Sequence, residues 1–459
     1  MTILIKNGEV IGPDGPVKQD ILIEDDHVSA VGRDLSAPDA EIVDAAGKLV
    51  FPGFIDTHTH LDMNTATMHT ADDFHSGSAA AVCGGTTTVL DFATQEHGES
   101  LMQALQNWRV LADGKSCCDY GFHMAITEWT PRVADELTRM KQEGVTSYKL
   151  YMAYDNLRVA DDIIYEVLKA VKAVGGIVGM HCENGDLVKV LTRELLGRGV
   201  TGPEGHPLSR PDVVEAEAIF RYLCIAELAD APVNIVHLST ARGMEIVENA
   251  RSRGQEVYVE TCPQYLLLTD ENYGKPDFEG ARYVLSPPLR KEADKEALWQ
   301  AIEHDEIETI GSDHCSFFLR QKEFGRNNFS QIPNGAPGVD LRPALIYTYG
   351  VDAGRISLAH MYRLLCENPA RLFGMFPRKG TLREGSDADI VIWDPDWQGT
   401  ITDENQHTAA DNTPYAGLRI QGRAARVYLR GREVVRDGEI TKENQGRYVH
   451  RGACDFWLK

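Results

Sequence analysis

Two histidines one residue apart, His58 and His60, close an apolar run that begins Gly53-Phe54-Ile55. In an extended chain, residues i and i+2 project to the same side. The two imidazoles therefore aim at one point, as a pair of metal ligands must. A chance His-x-His on a surface loop is the plain alternative, so the reading depends on further ligands reaching the same place. His181 and His237 each close an apolar run, Gly179-Met180-His181 and Ile235-Val236-His237, and Asp313 follows Ile310-Gly311-Ser312. Lys149, within Ser147-Tyr148-Lys149-Leu150-Tyr151, is the odd member. An ammonium is repelled by divalent cations and accepts no hydrogen bond. It serves metals only if its deprotonated amine takes up CO2 to give an anionic carbamate, with one oxygen for each of two ions. The alternatives are a lysine reaching solvent or a salt bridge.

These residues need elements to bring them together. Strand-like runs cover 53–57, 87–92, 120–126, 147–151, 177–181, 233–237, 256–261 and 308–312. Segments of helical period lie between and after them at 71–82, 100–112, 131–143, 160–174, 184–198, 211–228, 241–253 and 291–304. Thr70, ahead of Asp72 and Asp73, reads as the N-cap of the first helix, and Gly84-Gly85 as its stop. Eight strands alternating with helices predict an α/β chain folded as a (β/α)8 TIM barrel over 52–378, with a doubly wound open sheet as the competing arrangement. In such a barrel the C-terminal strand ends carry the chemistry. His58, His60, Lys149, His181, His237 and Asp313 then converge on one rim from five strands. Taken singly, each has a plainer role as a core histidine or a turn residue. His123, inside the third run, and His314, next to Asp313, stand where they could support the ligands.

Residues 1–51 are rich in short strands with Gly, Asp and Pro turns, and the 379–459 segment resembles them. Val427-Tyr428-Leu429-Arg430-Gly431-Arg432-Glu433-Val434 repeats the texture of Ile3-Leu4-Ile5-Lys6-Asn7-Gly8-Glu9-Val10. Both ends are expected to join in one small β-sandwich domain.

A net charge of −23 argues against nucleic acid or an anionic membrane as the partner. Met1 leads into a strand and turn without a signal peptide, and no apolar run spans a membrane, so the chain reads as cytoplasmic. Nine cysteines without a repeated C-x-x-C spacing read as reduced thiols, with adjacent Cys117 and Cys118 buried.

The ligand set resembles that of the amidohydrolase superfamily with a carbamylated lysine. Within it the chain resembles the dihydropyrimidinases and D-hydantoinases, including the phenylhydantoinases. Supporting segments include 52–62, 84–92, Glu260-Thr261-Cys262-Pro263-Gln264-Tyr265, Ser286-Pro287-Pro288-Leu289-Arg290, Ser312-Asp313-His314-Cys315, 333–339 and Asn368-Pro369-Ala370-Arg371-Leu372-Phe373-Gly374, so nearly the whole chain is covered. The resemblance implies a homotetramer and two divalent ions, usually zinc. His58, His60 and Asp313 would hold the more buried ion and His181 and His237 the more exposed one. N6-carboxylysine at Lys149 would bridge them. A hydroxide shared by the ions would attack the ring amide of a small cyclic substrate, giving an N-carbamoyl amino acid from a dihydropyrimidine or 5-substituted hydantoin. Asp313 would carry the proton to the leaving nitrogen, and Tyr154 would donate to the oxyanion. Backbone groups at Ser286 and Asn334 would read the imide-like edge of the ring. Judged alone, Tyr154 is a packing residue and Asn334 a turn residue.

Two stretches depart from the family pattern. After Asp62-Met63 the family commonly has Pro, an apolar residue and Gly-Gly, where this chain has Asn64-Thr65-Ala66-Thr67. After strand four Tyr151 is kept, but Arg158 stands where an aromatic is frequent. Thr65, Tyr151 and Arg158 are therefore the candidate specificity residues. Arg158 either faces the pocket, favouring polar or anionic substituents, or points to solvent. Asp62 stands where dihydroorotases carry an arginine for the substrate carboxylate, which argues against that activity. An allantoinase-like cyclic ureide hydrolase is the nearest alternative. A non-catalytic, dihydropyrimidinase-like scaffold is remote, since all six ligand positions are filled.

Overall fold

The computed structural model describes residues 2–65 and 68–458. Eight parallel strands lie side by side in chain order: Phe54–Thr59, Thr86–Thr94, Asp119–Ala125, Ser147–Tyr151, Ile177–His181, Val233–Ile235, Val257–Thr261 and Thr309–Ile310. The first is buried along its whole length, as strands covered on both faces must be. The ring closes where the chain after strand eight meets strand one. His60 N donates to His314 O at 2.8 Å, and Ser312 N donates to Asp56 Oδ1 at 3.0 Å. The sheet is thus a barrel and not an open doubly wound sheet.

An outer helix such as the third shows how an apolar stripe seats it on the barrel. In Pro131–Gln142, Val133, Leu137 and Met140 are buried at the i, i+4, i+7 spacing. The first helix, Phe74–Cys83, is capped by Asp73 and not by Thr70. Asp73 Oδ1 accepts from Ser76 N at 2.8 Å, and Asp73 N donates to Ser76 Oγ at 3.2 Å. Thr70 stands too early for the cap. Its hydroxyl closes the preceding loop, accepting from Met63 N and donating to Asp72 O, both at 3.0 Å. Gly85, at φ +91°, ends the helix as its lack of a side chain allows.

Strands six and eight stop at Ile235 and Ile310, each two residues short of the sequence expectation. The chain instead turns into the left-handed region at His237, φ +40°, and Asp313, φ +51°. Such conformations are unfavourable for non-glycine residues and concentrate at functional sites.

Two further sheets come from the chain ends. One has four strands, Thr2–Lys6, Asp20–Glu24, His27–Gly32 and Glu41–Asp44. The other has seven, and in it Leu49–Pro52 pairs antiparallel with Ile390–Thr400 from the far end of the chain. Ile3, Ile21 and Ile23 from the first sheet share one buried cluster with Val10, Val50, Ile390 and Tyr428 from the second. Beyond Ile440 the chain returns to the barrel, where Val449 N donates to Tyr120 O at 2.7 Å. A buried acidic trio, Asp119, Asp387 and Asp389, joins barrel to terminal sheet. Lys379 Nζ lies 2.8, 3.0 and 2.5 Å from the three carboxylates, and Arg430 also pairs with Asp119.

Candidate functional site

The barrel rim gathers the six residues singled out by type and spacing. Strand one supplies His58 within it and His60 just past its end. Their Nε2 atoms lie 3.2 and 3.3 Å from Asp313 Oδ1. One ligand atom from each of the three residues falls within 4.8 Å of the others. His58 Nε2 is buried and makes no hydrogen bond, while its Nδ1 lies 2.6 Å from Glu260 Oε1. A carboxylate on one ring nitrogen that leaves the other free is the arrangement that prepares an imidazole for a metal.

His181 closes strand five, and its Nε2 is taken by Glu183 Oε2 at 2.8 Å. That leaves Nδ1 facing His237 Nε2 across 3.0 Å. Burial pulls the pKa values of His58, His181 and His237 below the ordinary imidazole range. Neutral imidazole is the form that binds metal. Burial pushes the Asp313 carboxyl up, but His58, His60 and Lys149 outweigh it and hold it below the usual range. The donor set therefore fits two divalent ions.

Lys149 is buried at the middle of strand four, with Nζ 4.9 Å from the centre of the Phe92 ring. Burial lowers its pKa, against the pull of Asp313 and Glu260, so the neutral amine needed for CO2 addition is more accessible than on a surface lysine. Phe92 also packs on His58 at 4.5 Å and on His60 and His123 at 4.9 Å between ring centres. It is the apolar floor of the site.

Tyr154 sits after strand four in the left-handed region, φ +67°, with its ring 5.2 Å from that of His181. Its ring lies on the side of the site occupied by Ser286 and Asn334, and the buried Ser286 Oγ makes no hydrogen bond of its own among the described residues. Burial raises the pKa of Tyr154, so at neutral pH it is a donor. Tyr154, Ser286 and Asn334, from three separate loops, thus meet beside the histidines.

Sequence reasoning missed Glu260, Glu183, Arg210 and Phe92. Glu260 had a signal, since a carboxylate inside the apolar strand Val257–Thr261 needs a buried partner. It serves three: His58, the Thr57 hydroxyl at 2.7 Å and the backbone N–H of His237 at 3.4 Å. Glu183 stands two residues after His181 and is paired with Arg210 at 2.5 Å. Nothing local marks Arg210. His123 and His314 support from behind. His123 bridges Ser147 Oγ at 2.6 Å and Thr57 O at 3.0 Å, and His314 Nε2 lies 3.2 Å from Asp72 Oδ2.

Residues 49–434 match the model of the amidohydrolase family. The chain belongs to that family. A D-hydantoinase of Geobacillus stearothermophilus is 44% identical, with 98% of this chain and 97% of that one covered. A D-phenylhydantoinase of Escherichia coli is 40% identical, covering 98% of both. The crystal structure of a dihydropyrimidinase from Brevibacillus agri superposes with a TM-score of 0.98 at 42% identity, over 99% of each chain. The chain thus falls in the hydantoinase and dihydropyrimidinase branch of the amidohydrolases.

The departing residues are placed as follows. Tyr151 is buried, with its ring 5.8 Å from His181. Thr65 holds its own loop, with its N and Oγ1 donating to Met68 O at 2.7 and 2.8 Å. Ala66 and Thr67 lie outside the described residues. Arg158 is half-buried, with its guanidinium engaged by Asp186 at 2.6 Å and Asp155 at 3.4 Å. Its charge is met by those two carboxylates, which removes the motive for it to recruit an anionic substituent.

Proposed function

We infer that the chain opens the ring amide of dihydropyrimidines or 5-substituted hydantoins to N-carbamoyl amino acids. The observation that carries this is the rim itself: neutral His58, His181 and His237, a low-pKa carboxylate and a tyrosine donor, in a chain over 40% identical along its length to D-hydantoinases. His58, His60 and Asp313 would hold one ion, and His181 and His237 a second, both probed first as zinc. Lys149 would bridge them as N6-carboxylysine, its neutral amine adding to CO2 with loss of one proton. Bound ions supply Lewis acidity and a water acidic enough to deprotonate near neutral pH.

The chain's own groups do the rest. Asp313, ionised and held at Oδ1 by two histidines, receives the proton of the attacking water. It delivers that proton to the ring nitrogen as the C–N bond breaks. The Tyr154 hydroxyl donates to the carbonyl oxygen as negative charge develops there, and such donors contribute roughly 10²–10³ in kcat. Backbone groups at Ser286 and Asn334 hold the ring by its amide edge. Glu260 and Glu183 fix which nitrogen of His58 and His181 points inward.

An assembly of four copies belongs to the same reading, and exposed Phe220 and Leu228 on helix Asp212–Ala229 are surface such an assembly would cover. A cytoplasmic setting is supported by nine cysteines that are all free thiols. No helix among the described residues is long and apolar enough to cross a membrane. The test is a panel of dihydrouracil, dihydrothymine, hydantoin, 5-phenylhydantoin, carboxymethylhydantoin, allantoin and dihydroorotate, with products identified by mass. Ring opening of the dihydropyrimidines or hydantoins is expected. Turnover of allantoin alone would move the assignment to a cyclic ureide hydrolase.

A further inference from the structure

Lys322, at the end of the short helix Leu319–Lys322, is 1% exposed. No carboxylate among the described residues pairs with it. Its Nζ instead donates to three backbone carbonyls, Val284 O at 2.8 Å, Pro333 O at 2.7 Å and Gly335 O at 2.7 Å. An ammonium has three N–H donors and no more, so the match is complete. Burial pulls the pKa of Lys322 down to about 7, while three carbonyl dipoles at the N–H positions favour the charged form. Burying an ammonium without a counter-ion is unfavourable by several kcal/mol. An apolar side chain would fill the space without that penalty, so packing alone does not explain a lysine here.

The three carbonyls have one thing in common. Pro333 and Gly335 flank Asn334, and Val284 stands two residues before Ser286. The same stretches are tied directly, with Gly335 N donating to Val284 O at 3.0 Å. Gly335, at φ +147°, lies so close to Cys315 that a Cβ there would meet Cys315 O at 2.3 Å. The neighbouring carbonyl is held as well, since Leu285 O accepts from His206 Nε2 at 2.7 Å.

We propose that Lys322 is a positioning residue for substrate recognition: its ammonium clamps the Ser286 and Asn334 segments at the spacing that reads the amide edge of the ring. The proposal rests on the function inferred above, and its test separates the two.

Lys322→Met keeps the length and apolar bulk and removes all three donors. KM and kcat are measured for dihydrouracil, hydantoin and 5-phenylhydantoin, with bound metal and the unfolding midpoint as controls. The expected result is a KM raised about tenfold or more for all three rings alike, with kcat less affected and metal content unchanged. The uniformity matters, because the ring edge is common to the three and the substituent is not. If Lys322→Met does not accumulate as folded protein, Lys322→Gln, which keeps two donors, is read the same way and should fall between. A folded, metal-loaded variant with wild-type KM for all three rings overturns the proposal, even with a lowered midpoint. If the wild-type chain opens none of these rings, both readings fall together. If it does and the variants keep its KM, only this one does.

Discussion

Glu260 Oε1 lies 2.6 Å from His58 Nδ1, and both side chains are 1% exposed. The contact fixes the tautomer of an imidazole whose other nitrogen faces Asp313. Carboxylates in this position typically account for 10–100-fold in metal affinity. Glu260→Gln should therefore lose metal at roughly 10–100-fold lower chelator concentration than the wild type. Dialysis against graded chelator with elemental analysis reads this directly, and coincident curves would show that Glu260 only packs.

Lys149 makes the sharper demand. Lys149→Ala should lose bound metal and fall in activity by about three orders of magnitude or more, on the scale of losing a metal nucleophile system. Short carboxylic acids such as propionate should restore part of it by supplying the missing oxygens. Full activity in Lys149→Ala would remove the carbamate from the account.

Tyr154→Phe deletes the hydroxyl beside the His181 ring. A lost oxyanion donor predicts a kcat lower by roughly 10²–10³ with a smaller change in KM. An equal loss confined to KM would make Tyr154 a binding residue instead.

His206 offers a pH-dependent prediction on stability. Its ring is buried and donates to Leu285 O at 2.7 Å, and burial pulls its pKa down to about 3. In the unfolded chain an ordinary value near ~6.5 applies. The unfolded state therefore binds the proton first. The group's contribution is present above pH ~6.5 and is lost as pH falls below it, by up to about 1.4 kcal/mol per unit. Denaturant unfolding of the wild type and His206→Gln from pH 7 to pH 4 should show the difference shifting towards the variant. Parallel curves would contradict it.

Arg158, held by Asp186 and Asp155, should matter little to substituent charge. Arg158→Ala should change the ratio of kcat/KM for carboxymethylhydantoin over 5-phenylhydantoin by less than about threefold, as expected for an exposed ion pair. A tenfold fall in that ratio would put the guanidinium in the pocket.

The barrel was legible because parallel strands buried on both faces leave continuous apolar runs between helix-period segments. The rim was legible because those runs end in ligand-type residues, and the i, i+2 pair His58 and His60 could face only one way. The end of strand six was misjudged because apolar character continues through Val236, and that of strand eight because Gly311 N still bonds Thr261 O at 3.1 Å beyond the last regular strand residue. The left-handed turns fall at a histidine and an aspartate, His237 and Asp313, types that favour positive φ too weakly to mark the positions in sequence. The partners behind the rim were hidden for another reason. Glu260 reaches His58 across 202 positions of sequence, and Arg210 reaches Glu183 across 27, so no local spacing marks either pair.

The most direct test is ring opening of dihydrouracil and 5-phenylhydantoin by the chain stripped of metal and then reloaded with zinc. The account predicts no N-carbamoyl product from the stripped protein, recovery with about two zinc ions per chain, following the two ligand clusters, and an added mass of CO2 on Lys149 in the reloaded form. Undiminished turnover by the stripped protein, or none from a reloaded protein with both metals in place, would contradict it.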